Sequence, residues 1–261
     1  MTAPVLAPYV FEAPPVNPAP NGLFAATDWQ PEGDQRWLNG VEVRGTSFGG
    51  ENAFGVWPND NCAYGSVPAP GQKKEGDRPA ILDPFDPIVV WAYDECDPTE
   101  PSRAEVRARA ANILRLEEQT AIEREIGNRL LEDATALWAA NGYNTAPNLK
   151  EAVAFIEGEV AEAGVLGYLH IAADLPALEA GLFIGSGTQK KSPSGHTWII
   201  GGGYVEGLQN TIVATSQPFG WRDAPTVREA LDAKSNTFAA VAERTVVIGY
   251  EAIIAAVTIT P

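Results

Sequence analysis

Two histidines, two cysteines and one run of glycine, serine and lysine are the residues whose types suit nucleophilic, metal or phosphate chemistry. His170 lies inside the apolar run 165–171 and reads as a core histidine whose ring is satisfied within the fold. His196 stands in the polar turn 190–196 beside Ser192 and Ser194. A histidine near serines suggests a hydrolase, but no Gly-x-Ser-x-Gly elbow places a serine on a strand-to-helix turn. A metal site of His170, His196 and Asp174 has neither helical nor Cys-x-x-Cys spacing behind it. The run from Gly185 to Ser192 mimics a phosphate loop, yet it lacks the second glycine and meets Pro193 where a helix would have to begin. At the triplet 201–203, Glu206 occupies the place of the third glycine in a dinucleotide fingerprint, and the triplet reads as a hairpin turn. Among 34 acidic side chains nothing singles out a pair for glycoside cleavage. The sequence thus presents no catalytic, cofactor-binding or metal-ligating set, and the chain reads as a protein that is not an enzyme.

The elements that would position such groups are lopsided in composition. Of 21 prolines, 14 fall in residues 1–100, together with 15 acidic and 5 basic side chains. Proline fixes φ and removes a backbone donor, so the first twenty residues read as an extended arm held by something outside their own domain, most economically a second copy of the chain. Residues 37–45 alternate apolar and polar, and 88–93 form a second extended candidate. Between them lies a long polar, Gly/Pro-rich excursion. Two strands so far apart cannot build a core of their own, so a projecting β-arm that settles on another subunit is expected.

Ser102, with Glu105 three residues on, reads as a capping box that opens a helix running to about Ala140. Its apolar positions are Val106, Ala110, Ile113, Leu114, Ile122, Ile126, Leu130 and Leu137, spaced by helical turns. Gly142 ends it. Asn148 and Glu151 cap a second helix carrying Leu149, Val153, Ile156 and Val160 on one face, and Gly164 ends that one. Strands are expected over 165–171, 197–200 and 211–215, and a short helix over 174–183. A polar segment at 222–232 precedes β-branched terminal strands over 238–250 and 255–259 that should pack on the long helix.

The formal charge of −16 disfavours a dedicated nucleic-acid binder. Two cysteines, Cys62 and Cys96, are too few for a disulfide scaffold and fit a reducing compartment. No apolar run reaches the ~20 residues a membrane span needs, and no signal peptide opens the chain, which reads as soluble.

This order of elements resembles the Hong Kong 97-type major capsid protein of tailed double-stranded-DNA phages, a fold shared with encapsulin shells. The resemblance covers nearly the whole chain and rests on architecture, with the run Asn236 to Thr245 most like actinobacteriophage virion sequences. It implies an α+β capsid fold with an N-terminal arm (1–36), an extended β-hairpin loop (37–97), a peripheral domain with a spine helix (98–164), an axial domain (165–235) and peripheral return strands (236–261). By the same resemblance the partners are many copies of the chain itself, in pentamers and hexamers of a closed icosahedral shell. That shell encloses double-stranded DNA without sequence-specific binding and has no membrane partner. Its location is the virion, with host cytoplasm during assembly. Some members begin with a cleaved scaffolding segment; an arm starting at Met1 implies a separate scaffold or none, with portal and decoration proteins as further partners. Subunit contacts are expected at Pro14, Pro15, Trp29, Trp37, Phe48, Phe54, Trp57, Lys73, Lys74 and Trp221. An encapsulin-like compartment, another head or tail part and a cytoplasmic hydrolase are the competing readings.

Overall fold

The computed structural model describes residues 9, 11–31, 33–50, 52–56, 74–142 and 144–260. In chain order the elements are α1 (Leu23–Ala26), β1 (Asp28–Trp29), β2 (Ile88–Cys96), α2 (Glu100–Asn141), β3 (Thr145–Ala146), α3 (Leu149–Glu162), β4 (Tyr168–Ala172), β5 (Lys190–Lys191) and β6 (Thr197–Gly201). They continue with α4 (Tyr204–Gly207), β7 (Thr211–Thr215), β8 (Phe219–Arg222), β9 (Thr226–Asp232), β10 (Thr237–Gly249) and β11 (Ile253–Ile259). Short 3-10 turns lie at Gln35–Asn39, Leu175–Ala177 and Ala180–Leu182.

The long helix is the axis of the molecule. At 1.5 Å per residue its 42 residues span about 60 Å. It starts three residues earlier than the capping box suggests, because Pro101 is tolerated in the first turn, where its missing N–H has no helical partner to lose. Ser102 therefore sits inside the helix and donates its hydroxyl to Asp97, which also accepts the Thr99 N–H. The Thr99 hydroxyl first, then the Thr99 N–H and the Ser102 hydroxyl, favour the carboxylate and hold the Asp97 carboxyl down at about 2. Val106, Ala110, Leu114, Ile122, Ile126, Leu130 and Ala134 are buried along one stripe, while Ile113 and Leu137 are half-buried beside it. The other face is ion-paired: Arg107 with Glu229, Arg109 with Asp94, Arg124 with Glu206 and Glu118 with Arg244. At the far end Gly142, at φ +93°, donates to the Trp138 carbonyl and turns the chain.

Two sheets flank this helix. The first runs β1-β8-β10-β2, with β9 also on β10. Here β10 is antiparallel to β2 from Phe238 opposite Cys96 to Val246 opposite Ile88, and antiparallel to both β9 and β8 on its other edge. The second runs β3-β11-β7-β4-β6-β5, with β4 and β6 parallel and α3 packed on β11 and β7. Asn148 caps α3 as the spacing predicts, its Oδ1 accepting the Glu151 N–H at 3.0 Å, and Leu149, Val153, Ile156 and Val160 are buried.

Several expectations are corrected. The excursion 37–97 is not a β-hairpin among its described residues: 35–39 is a 3-10 turn, and 41–87 makes a single bridge, Val41 to Phe85. Its apparent second strand, β2, instead pairs with β10, 140 or more residues on, where Phe238, Ala240, Ala242 and Val246 supply the buried face that a lone hairpin lacks. The segment 222–232 is polar but is largely strand: β9 is exposed throughout and stands on β10 through a turn closed by Asp232, which accepts the Lys234 N–H and the Ser235 hydroxyl. The triplet 201–203 is no hairpin, since β6 runs straight into α4. Finally, the terminal strands separate, β10 into the first sheet and β11 into the second, while β8 and β9 join β10 and not the sheet of β4, β6 and β7.

Candidate assembly surface

The residues best suited to chemistry are absorbed by the core. The His170 Nδ1 lies 2.8 Å from the Tyr204 hydroxyl and its Nε2 2.9 Å from Thr215 Oγ1, so both ring nitrogens are satisfied without water. Burial holds its pKa down to about 3, and the ring is neutral. His196 accepts the Gly167 N–H on Nδ1, and its own N–H donates to Ser192 Oγ, closing the turn that starts β6. Ser194 binds Glu157 of α3 through its backbone N–H, which pins this turn to α3. After Gly185 the chain enters β5 and not a helix. Among the described residues no three His, Cys, Asp or Glu side chains converge as metal ligands, and no helix is long and apolar enough to cross a membrane.

What remains exposed is large and apolar. The excursion leaves the globule between Val41 and Phe85, whose backbones exchange two hydrogen bonds of 2.9 Å. Its return leg is clamped by Arg129, which donates to the Asp83 and Pro84 carbonyls and lies 4.5 Å over the Phe85 ring. Its outgoing leg is tied by Ser47 N–H to Glu251 and meets the return leg where the Gly50 N–H donates to the Asp77 carbonyl at 3.2 Å. Beyond these anchors Phe54 is 93% exposed, with Val56 and Ile81 similarly bare. Among the described residues nothing covers the Phe54 ring.

The sheet β9-β10-β2 supplies a second such surface. Its inner face, with Val90, Ala92, Ala240 and Ala242, packs on α2. Its outer face carries Val89, Trp91 and Tyr93, and Trp91 is 67% exposed. Alternation of a strand puts all three on one side. Sequence reading passed over them because 88–93 is continuously apolar, and such a run does not say which side faces water.

The expected contact residues divide. Pro14, Pro15, Phe54 and Lys74 are exposed. Phe48 is half-buried in a cleft with Asp28, Leu166 and Phe219. Trp29 is held inside the chain: its ring meets Phe24 edge-on at 5.2 Å, its Nε1–H donates to the Phe24 carbonyl, and Arg222 lies over it at 4.2 Å. Trp221 is likewise half-buried, edge-on to Phe219. Trp37 is a correction: at 5% exposure it belongs to this chain's own core, because the 3-10 turn folds it inward. Trp57 and Lys73 lie outside the described residues, as does Cys62.

No protein-family model and no curated protein matches the chain. Solved structures do. A chain from Mycobacterium phage Bobi aligns over 98% of this chain and 96% of its own, at 13% identity and a TM-score of 0.51. One from Gordonia phage Cozz aligns over 99% and 91%, at 13% identity and 0.50. The asymmetric unit of the bacteriophage PhiM1 mature capsid aligns over 100% and 92%, at 11% identity and 0.48. Along almost its whole length, then, this chain has the α+β fold of the Bobi and Cozz phage chains, which is the Hong Kong 97-like capsid fold expected above.

Proposed function

We propose that the chain is a major capsid protein that assembles many copies of itself into the icosahedral head enclosing a phage genome. One observation carries the reading: a fold shared end to end with phage structures leaves exposed the pieces its own globule does not cover. The arm at 11–20, the excursion legs with Phe54 and Ile81, and the outer face of β2 bear apolar side chains that only a neighbouring copy would bury. Each contact is modest, but every subunit makes several, and closure around symmetry axes adds them together. A net charge of −16 suits a wall that holds DNA without adhering to it. On this reading 1–36 is the arm, 37–87 the loop, α2 the spine, and the sheet of β4, β6 and β7 the part that meets its copies at the five- and six-fold axes. Scaffold, portal and decoration proteins would be its further partners.

Size-exclusion chromatography and negative-stain microscopy of the purified chain test this. Closed shells or capsomer rings support it, and a monomer at all concentrations overturns it.

A further inference from the structure

The middle of α2 carries a carboxylate that the capsid reading does not use. Glu123 is fully buried, and its two oxygens are divided between pieces of chain far apart in sequence. Oε1 accepts the Leu23 N–H at 3.0 Å, where the arm enters α1. Oε2 accepts the Gly203 N–H at 3.1 Å, where β6 turns into α4. One turn earlier on α2, Gln119 donates to the Asn21 carbonyl, and earlier still Arg115 donates to the Val16 carbonyl. The approach is close enough to demand glycine on both sides. A Cβ at Gly203 would lie 2.1 Å from the Thr120 carbonyl oxygen, and Gly22 holds φ +106° with its missing Cβ aimed at Gln119 and Glu123.

We infer that Glu123 is a clasp that couples docking of the arm at 20–27 to seating of the 201–204 turn on the spine helix, and that its grip tightens as pH falls. The arm segment is the cover over this carboxylate. Lifting it returns Glu123 to water; laying it down removes a charge from water, which disfavours the ionised form. Docking therefore takes up a proton. Burial raises the Glu123 carboxyl by more than the N–H groups of Leu23, Gly203 and Gly202 and the Gln119 side chain lower it. A carboxyl raised in the docked state makes docking strongest below its ordinary pKa, and the advantage is lost as pH rises through the docked value. The arm from Asn21 to Thr27 and β6 contain no ionisable side chain. Tyr204 of α4 is pushed well above its ordinary value, and His170 of β4, bonded to Tyr204, is held down at about 3. Arg124, beside Glu123 on α2, is engaged with Glu206 at the surface.

Hydrogen–deuterium exchange on the full chain, corrected for intrinsic exchange rates, tests the clasp. In the unmodified protein, protection of 20–27 and 201–204 is expected to fall together, at least threefold, between pH 4.5 and pH 8. Glu123→Gln should remove that slope from both segments. Gly22→Val, whose side chain would strain the arm and press on Gln119 and Glu123, should speed exchange at least tenfold in 201–204 as well as in 20–27. Two results overturn the inference: 201–204 keeping its full protection when Gly22→Val frees the arm, or segments in the unmodified protein that show no common pH slope. Should Gly22→Val lose protection in β7 and β11 too, the variant has unfolded, and the pH series on the unmodified protein decides alone.

Discussion

At the residue scale the chain gives its most deeply buried histidine a partner on each ring nitrogen. His170 has two hydrogen bonds and a pKa lowered to about 3, so it stays neutral wherever the fold persists. The unfolded chain protonates near the ordinary histidine value of ~6.5. Folding stability at this group is therefore intact above that value and falls as pH drops from ~6.5 towards 3, by up to about 1.4 kcal/mol per pH unit. The ring carbon signals of His170 in an NMR titration should stay fixed down to pH 4, and a midpoint near 6.5 would show that the ring is not buried. The same logic separates Leu130 from Ile113. Leu130→Asp buries an unpaired carboxylate and should cost several kcal/mol, read as a drop in Tm. Ile113 is half-buried on the groove between α2 and β2, so Ile113→Asp should cost clearly less.

At the element scale, what the sequence revealed was what local spacing determines. Helix α3 announces itself through Asn148, Glu151 and a four-residue apolar stripe, and every one of those residues does in the structure what its spacing implied. The long helix is equally plain from Val106 to Leu130. Pairing partners were not legible, because β-strand contacts join residues far apart in sequence. Nothing near Trp91 says that Glu243 lies opposite it, and the polar run 226–232 gives no sign that β10 is long enough to hold it as a strand. Trp37 deceived for a similar reason: alternation around it suggested a strand, whereas the Asp34 side chain accepts the Arg36 N–H and starts a 3-10 turn. The outer face of β2 yields a prediction that belongs here. Trp91→Ala removes a ring that touches little of its own chain, so Tm should move by no more than about 2 °C while shell yield falls sharply. Equal yield from the variant would mean that the face is not a contact. Deleting residues 1–20 should likewise spare the helical signal of the core while impairing assembly, since Arg115 is the anchor of the arm at 16–17.

At the scale of the whole molecule, a helix about 60 Å long lies between two sheets, with an arm tied to the helix by Arg115, Gln119 and Glu123 and an excursion whose legs leave the globule between Val41 and Phe85. That layout was visible in the sequence as an order of composition: proline-rich, then glycine-rich, then helical, then β-branched. The functional surface was only partly visible. Side chains left bare by the fold can be named only once the fold says which face each strand turns outward, and Phe54 and Trp91 look no different from core aromatics until then. The arm was less isolated than its prolines suggested, since Leu23, Thr27 and Trp29 settle on their own chain. The exposed part is the stretch from Phe11 to Val16, together with the excursion legs. The most direct measurement is electron microscopy of the purified chain beside a version with residues 52–76 replaced by a short flexible linker. The account predicts closed shells from the first and soluble, folded subunits of unchanged core Tm from the second; normal shells without the excursion would contradict it.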